Sequence, residues 1–340
     1  MCWSARKAYR FAVLFLILHV AKPQVLGGRN AEEKTLKHLV HISPSFRDVN
    51  NVHTAAGTIL KLDLVLTCAH CVQVQGEDLI DLTIKAGTKD LYEFSDNMQI
   101  IYLNREELQR AIIIHRGYNP LDNSDWYNPF DHEFDVALIR LPASKKFKYD
   151  AQHVVPANLL TRDMGEPDDY VRCVVQGWGE SEREWVNDSE MGYMEPANPQ
   201  QAKHGEMNLL EKQGTMFFYG CRQGQCAVPG PGDSGAPIVC ALRANEDPMQ
   251  NGYVFAIHAA GCADVRLKGT ACGWSQGNDV RAISGWLTRH TGEGARPVQE
   301  KMARRVRRIV EDSSATTVII ATIVIAIAVA CLIARWFGYL

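Results

Sequence analysis

Short runs of β-branched and aromatic residues, each broken by Gly, Asn, Asp or Pro, recur along the chain from residue 25 to about residue 293. Residues 39–42 (Leu, Val, His, Ile), 57–60, 64–67, 82–86, 112–115 and 136–139 have the length and side chains of strands. No long helical periodicity competes with them before residues 283–287. Many short strands over this length predict an all-β architecture of β-barrels.

The two ends break the pattern. Arg6, Lys7 and Arg10 precede an apolar run over 11–18, the layout of a secretory signal and too short to span a bilayer. A buried N-terminal helix is the alternative. Residues 293–314 are polar and charged, carrying Lys301, Arg304, Arg305, Arg307 and Arg308, and read as a stalk. Residues 315–334 are then twenty uncharged residues rich in Ile, Val and Ala. As a helix rising about 1.5 Å per residue they cover about 30 Å of hydrocarbon, so a single transmembrane helix is expected, with 335–340 a short tail. The basic stalk opposes the positive-inside tendency, which a signal peptide and a translocated domain override. A lipid-anchor signal at Ser313, Ser314 and Ala315 is a second reading of this end, although the polar spacer is missing.

Composition narrows the class. A chain of 340 residues with 46% hydrophobic content holds one large core or two smaller ones, and a net charge of −3 argues against nucleic-acid binding. Ten cysteines fit an oxidising compartment. We therefore expect a secretory-pathway protein, membrane-anchored, with its globular part extracellular or lumenal. The sequon at Asn187, in the polar stretch 180–206, is a candidate glycan site.

Candidate chemistry lies in three separated segments. Residues 229–237 read Pro-Gly-Pro-Gly-Asp-Ser-Gly-Ala-Pro and lead into Ile238, Val239 and Cys240, a serine on a glycine-rich turn before a buried strand. A serine hydroxyl needs a histidine to take its proton and a carboxylate to hold that histidine. Val65-Leu66-Thr67-Cys68-Ala69-His70-Cys71 and Phe134-Asp135-Val136-Ala137-Leu138 supply one of each. Together these segments resemble the GDSGGP, LTAAHC and DIALLKL segments of the chymotrypsin-like serine proteases, in the His-Asp-Ser order of that family.

The resemblance implies two six-stranded Greek-key barrels over residues 25–292 with a short C-terminal helix at 283–287, and the site in the cleft between them. It implies catalysis by His70, Asp135 and Ser234, with the Gly232 and Ser234 amides as the oxyanion hole. Val25-Leu26-Gly27-Gly28 is similar to the mature start of the family. Residues 1–24 would then be signal and pro-segment, the protein would be made as a zymogen, and the Val25 ammonium would pair with Asp233. Gln24 stands where an activating cut usually follows Arg or Lys. The resemblance further implies a Cys173–Cys240 disulfide and a specificity pocket formed by Val228, Ala260 and Gly277, with no charge at Val228. Asp279 is either a substitute pocket acid or a solvent-facing aspartate.

The sequence also departs from the family. Ala236 replaces a glycine, His258 and Ala259 replace a serine and a tryptophan, and Gly230 stands where a pocket cysteine is usual. Ala55 stands where the partner of Cys71 would be, and Cys68 is additional, so a local bridge, two thiols or another partner are all open. Cys-Ala-His-Cys also admits a metal or redox reading, for which zinc would need further ligands. Cys221, Cys226, Cys262 and Cys272 allow three pairings. The expectation is a serine endopeptidase acting on proteins or peptides, open to protein inhibitors, needing no metal or organic cofactor. Its alternative is a catalytically weak homologue that binds partners through the same surface.

Overall fold

The structure is a computed structural model that describes residues 28–32, 35, 37–47, 54–74, 76–120, 132–179, 184–186, 193–195, 201–220, 229–230, 232–261 and 274–292. The chain divides into two units, Met1–Gly294 and Ala295–Leu340, and every described residue belongs to the first. The signal segment, Val25, Asn187, Val228, Cys221, Cys226, Cys262, Cys272, the stalk and the expected membrane helix lie outside the described residues. Among the described residues no helix is long and apolar enough to cross a membrane.

After a two-residue strand β1 (Arg29–Asn30), the first sheet gathers β2 (Leu39–Phe46), β3 (Ala55–Lys61), β4 (Leu64–Thr67), β5 (Leu79–Ala86), β6 (Gln99–Asn104), β7 (Ile112–Ile114) and β8 (Ala137–Arg140). All its pairings are antiparallel, in the order β6-β5-β2-β3-β4-β8-β7. The alternation that makes a strand half-buried is clearest in β6, where Ile101 and Leu103 are buried while Ile100 and Tyr102 are exposed. Val40, Ile42, Ile59, Val65, Leu82, Ile84, Leu103, Ile139 and Phe147 close into one core, each contributing about 1.5–3 kcal/mol on burial. Between β6 and β7 the chain forms α1 (Arg105–Ala111), started by a capping box in which the Asn104 side chain accepts from the Glu107 amide and Glu107 accepts from the Asn104 amide.

The second sheet takes β9 (Arg172–Gly177), then, past a separate hairpin of β10 (Glu184–Val186) and β11 (Tyr193–Glu195), β12 (Lys203–Gln213), β13 (Met216–Gly220), β14 (Pro237–Cys240), β15 (Tyr253–Gly261) and β16 (Trp274–Asp279). Its order is β1-β12-β13-β16-β15-β14-β9, and β9 pairs back to β12. That closes a ring of six strands with β1 added at its edge, so no strand of the ring is left with an open edge. Cys173 on β9 and Cys240 on β14 face each other in register and are joined by a disulfide.

The expected count of six strands holds for the ring of the second sheet and is corrected for the first. The second sheet is six plus β1, and the first has seven, because α1 interrupts the chain and β7 resumes beside β8. A short helix α2 (Pro248–Asn251) precedes β15, and α3 (Ser284–Thr291) follows β16. Trp286 and Leu287 of α3 are buried, and its last carbonyls receive cations from the first sheet: Lys61 Nζ donates to Thr291 O and Arg140 to His290 O. Basic groups at a helix C-terminus satisfy carbonyls that lack an intrahelical partner and complement the dipole.

Candidate active site

Three turns converge where the two sheets meet. The first follows β4. Val72 and Gln73 amides donate to Ala69 O, folding Cys68, Ala69 and His70 into a compact turn. His70 is held twice by one carboxylate: its backbone N–H donates to Asp135 Oδ1 at 2.9 Å, and its Nδ1 lies 2.5 Å from Asp135 Oδ2. Asp135 is fully buried, while the His70 side chain keeps 16% of its surface exposed. Burial by itself would push His70 down and Asp135 up. Their mutual charge and hydrogen bonds outweigh it, so His70 is raised and Asp135 lowered from their ordinary values. With Nδ1 engaged by the carboxylate, Nε2 is the ring nitrogen that faces Cys68 Sγ at 3.7 Å.

The second turn presents Asp135 just before β8. Phe134 sits at φ 58°, a left-handed conformation that costs a residue with a Cβ about 1–2 kcal/mol. Its ring stacks on His115 at 4.8 Å, and His115 meets the edge of Trp286 at 5.1 Å. Docking of α3 thus supports the strained residue beside the carboxylate. On the other side His132, fully buried, places Nδ1 3.9 Å from Asp135 Oδ2, and its carbonyl accepts from Asn278 Nδ2 on β16 at 3.1 Å.

The third turn carries Ser234, half-buried, just before β14. Gly232 and Gly235 have φ of 91° and 82°, angles that suit glycine. A Cβ on Gly235 would stand 2.2 Å from Ala56 O and 2.3 Å from Thr67 Oγ1, so only glycine lets the turn lie against β3 and β4. The turn is bonded to both sheets. Ala56 N donates to Ser234 O at 2.8 Å, and Gly235 N donates to His258 O at 2.9 Å. The same hypothetical Cβ is 3.1 Å from Cys68 N, which sets the serine turn against the histidine turn. Among the described residues neither the Gly232 nor the Ser234 amide has a hydrogen-bond partner.

Asp233 points away from the solvent. Its oxygens accept from Gly179 N at 2.7 Å and Gly230 N at 3.0 Å, and Cβ atoms on Gly177 or Gly179 would overlap its carboxylate. Burial nevertheless raises it to about 6, against these two bonds. Among the described residues no cation lies within ion-pairing distance of it.

The remaining expected residues are placed as follows. Ala260 on β15 and Gly277 on β16 are both buried on neighbouring strands, Ala260 pairing with Gln276 and Gly277 with His258. Asp279 is neither a pocket acid nor solvent-facing. It is fully buried, 3.1 Å from Lys212 and 3.4 Å from Arg281, which leaves no charge to spare for a ligand. Cys68 and Cys71 form a local disulfide, which settles among the open alternatives for the pair.

Two residues near the site carry no strong sequence signal, and a third carries one that does not reveal its state. His132 differs from any polar loop residue only in standing three positions before Asp135. Gln276 is fully buried, and among the described residues both its amide atoms lack a partner. His258 is conspicuous in the sequence as a departure, but its state is not. Burial first, and then the nearby His70, push it down to about 3, so it stands neutral beside the His70–Asp135 pair.

The trypsin family matches this chain over residues 25–276. Serine protease 28 of Mus musculus is 27% identical over 156 residues, which is 46% of this chain and 49% of the mouse protein. Trypsin epsilon of Drosophila erecta is 26% identical over 246 residues, 71% of this chain and 79% of the fly protein. The family match runs from the segment before β1 into β16 and takes in all three turns of the site; the chain belongs to the trypsin family.

Proposed function

We propose that this chain is a serine endopeptidase, in which Ser234 attacks the scissile carbonyl of a protein or peptide, His70 takes and returns the proton, and Asp135 holds His70 in the required tautomer and stabilises its charged form. The observation that carries the reading is the double hold of Asp135 on His70, at 2.9 and 2.5 Å, beside a serine turn bonded to β3. The Gly232 and Ser234 amides are the donors for the developing oxyanion, each such donor contributing about 2.7–4 kcal/mol to the transition state. Ala260 and Gly277, with Val228, form the pocket that selects an apolar or small side chain.

Activation follows the same logic. A carboxyl buried in a glycine-lined cradle and raised to about 6 suits the arrival of an ammonium group. The Val25 α-amine, released by a cut after Gln24, is that group. The protein enters the secretory pathway and is tethered by residues 315–334, with the protease domain extracellular or lumenal and Asn187 open to glycosylation. Protein inhibitors are possible partners.

A fluorophosphonate probe tests the chemistry: labelling of the mature protein that vanishes in Ser234→Ala is expected. A second reading, a weak homologue that binds partners, is favoured by the non-basic Gln24–Val25 junction and by His258 standing against the pair. No labelling of a chain with a verified Val25 N-terminus would select it.

A further inference from the structure

The disulfide in the histidine turn is in an unusual place. Cys68 and Cys71 are three residues apart, their Cα atoms 5.3 Å from each other, and they bracket Ala69 and His70. Both sulfurs lie against the nitrogen that a proton-transfer role requires: Cys68 Sγ is 3.7 Å and Cys71 Sγ 4.0 Å from His70 Nε2. We propose that Cys68, His70 and Cys71 are a thiol-gated site for a soft divalent cation of the zinc type, closed while the cysteines are joined and opened by reduction. When it binds, the cation takes His70 Nε2 and silences the serine.

The geometry is close to what such an ion needs. Bonds of about 2.3 Å to sulfur and about 2.0 Å to nitrogen set the sulfur and nitrogen corners of a tetrahedron about 3.5 Å apart and the two sulfur corners about 3.8 Å apart. Against the sulfur-to-nitrogen target the separations of 3.7 and 4.0 Å are long by about 0.2 and 0.5 Å, so on reduction the two sulfurs have to part and Cys71 Sγ has to draw in by about half an ångström. The three ligand atoms all lie within 4.8 Å of one another. Two cysteines and one histidine are an established zinc ligand set that leaves a fourth position for water or an exogenous oxygen.

The support around the ligands is already present. His70 Nδ1 is engaged by Asp135, the carboxylate–histidine arrangement that orients imidazole ligands toward a metal. The turn does not rely on the disulfide for its shape. The His70 amide is tied to Asp135, and Val72 and Gln73 are tied to Ala69. Cys68 and Cys71 are both buried, which favours the sulfurs staying in place once freed.

Opening the site consumes two electrons and two protons. A dithiol reductant supplies them, leaving as its own cyclic disulfide while the Cys68–Cys71 bond becomes two thiols. The cation then displaces both thiol protons to solvent, and His70 donates a lone pair without losing a proton. In an oxidising compartment the site stays shut.

This proposal rests on the serine-protease reading only for its consequence, so it is tested by two readouts. Cobalt(II) titrated into the full chain before and after treatment with a dithiol should produce a thiolate-to-cobalt charge-transfer band only after reduction. The band attributable to this site should be missing in both Cys68→Ser and Cys71→Ser, and weakened in His70→Asn, which keeps both cysteines and guards against a cysteine variant that misfolds. With zinc at ten times its dissociation constant, fluorophosphonate labelling of the reduced chain should slow about elevenfold relative to the same chain without zinc. An undiminished band in either cysteine variant overturns the site, as does no band in the reduced wild type. A band without slowed labelling overturns the capture of His70. A chain that binds cobalt as expected but never labels, reduced or oxidised, overturns the protease reading and leaves the metal site standing.

Discussion

At the scale of single residues, the site is governed by which carboxylates have a partner. Asp135 has His70, and the pairing sets two pH limits. The stability from the raised His70 is complete below about pH 6.5 and lost as pH rises through its higher folded value; that from the lowered Asp135 is complete above about pH 3.9 and lost as pH falls through its lower folded value. In the proposed mechanism catalysis needs neutral His70, so the acid limb of kcat/KM is expected above pH 6.5. In Asp135→Asn that limb should move down and kcat should drop about 10⁴-fold, as steady-state pH profiles would reveal. Asp233 behaves oppositely. Raised to about 6, it holds a proton between about pH 4 and 6 that the unfolded chain has released, so an uncleaved chain loses stability as pH rises through that window, on the order of 3 kcal/mol in all. Thermal melts of the uncleaved chain should show that decline and Asp233→Asn should flatten it; a flat profile in the uncleaved wild type would refute the assignment.

At the scale of elements, turns and one helix do the positioning. The serine turn fits against β3 and β4 only because Gly235 lacks a Cβ, and its φ of 82° disfavours any other residue. Gly235→Ala is expected to abolish probe labelling while the circular dichroism of the strands persists, since the displacement is confined to the turn. Helix α3 acts at a distance through Trp286, His115 and Phe134. Trp286→Ala removes a side chain that is 5% exposed and should destabilise the protein by about 3–5 kcal/mol, with kcat falling more than the altered fraction folded explains. Unchanged kcat in the folded variant would mean that Phe134 holds its conformation without the helix.

At the scale of the whole molecule, the two disulfides among the described residues do different work. Cys173–Cys240 closes a loop with a sequence separation of 67, whereas Cys68–Cys71 spans 3. On chain entropy alone the first stabilises by about 4 kcal/mol and the second by about 2 kcal/mol. Replacing Cys173 and Cys240 together by serine should therefore lower Tm clearly more than replacing Cys68 and Cys71 together. Equal shifts in differential scanning calorimetry would contradict the loop-length argument. The closed ring of the second sheet and the pairing of β7 with β8 in the first are likewise long-range features, each joining segments far apart in the chain.

By itself the sequence determined what is written in contiguous residues. The strands at residues 64–67 and 136–139 follow from β-branched runs, and the glycines on either side of Ser234 announce a turn. The Asn104-to-Glu107 capping box that starts α1 is equally local, but the helix it starts is only seven residues long, too short for its periodicity to stand out among the strand runs. Tertiary structure decided whatever depends on which distant segments meet. It put Asn278 on the carbonyl of His132, enclosed Asp279 between Lys212 and Arg281, turned His258 into a neutral buried group, and closed Cys68 on Cys71 where the sequence left a local bridge, two thiols or another partner open. The physical reason is that propensity and turn chemistry act over a few residues, whereas burial and charge compensation are properties of the space between strands, which no single segment contains.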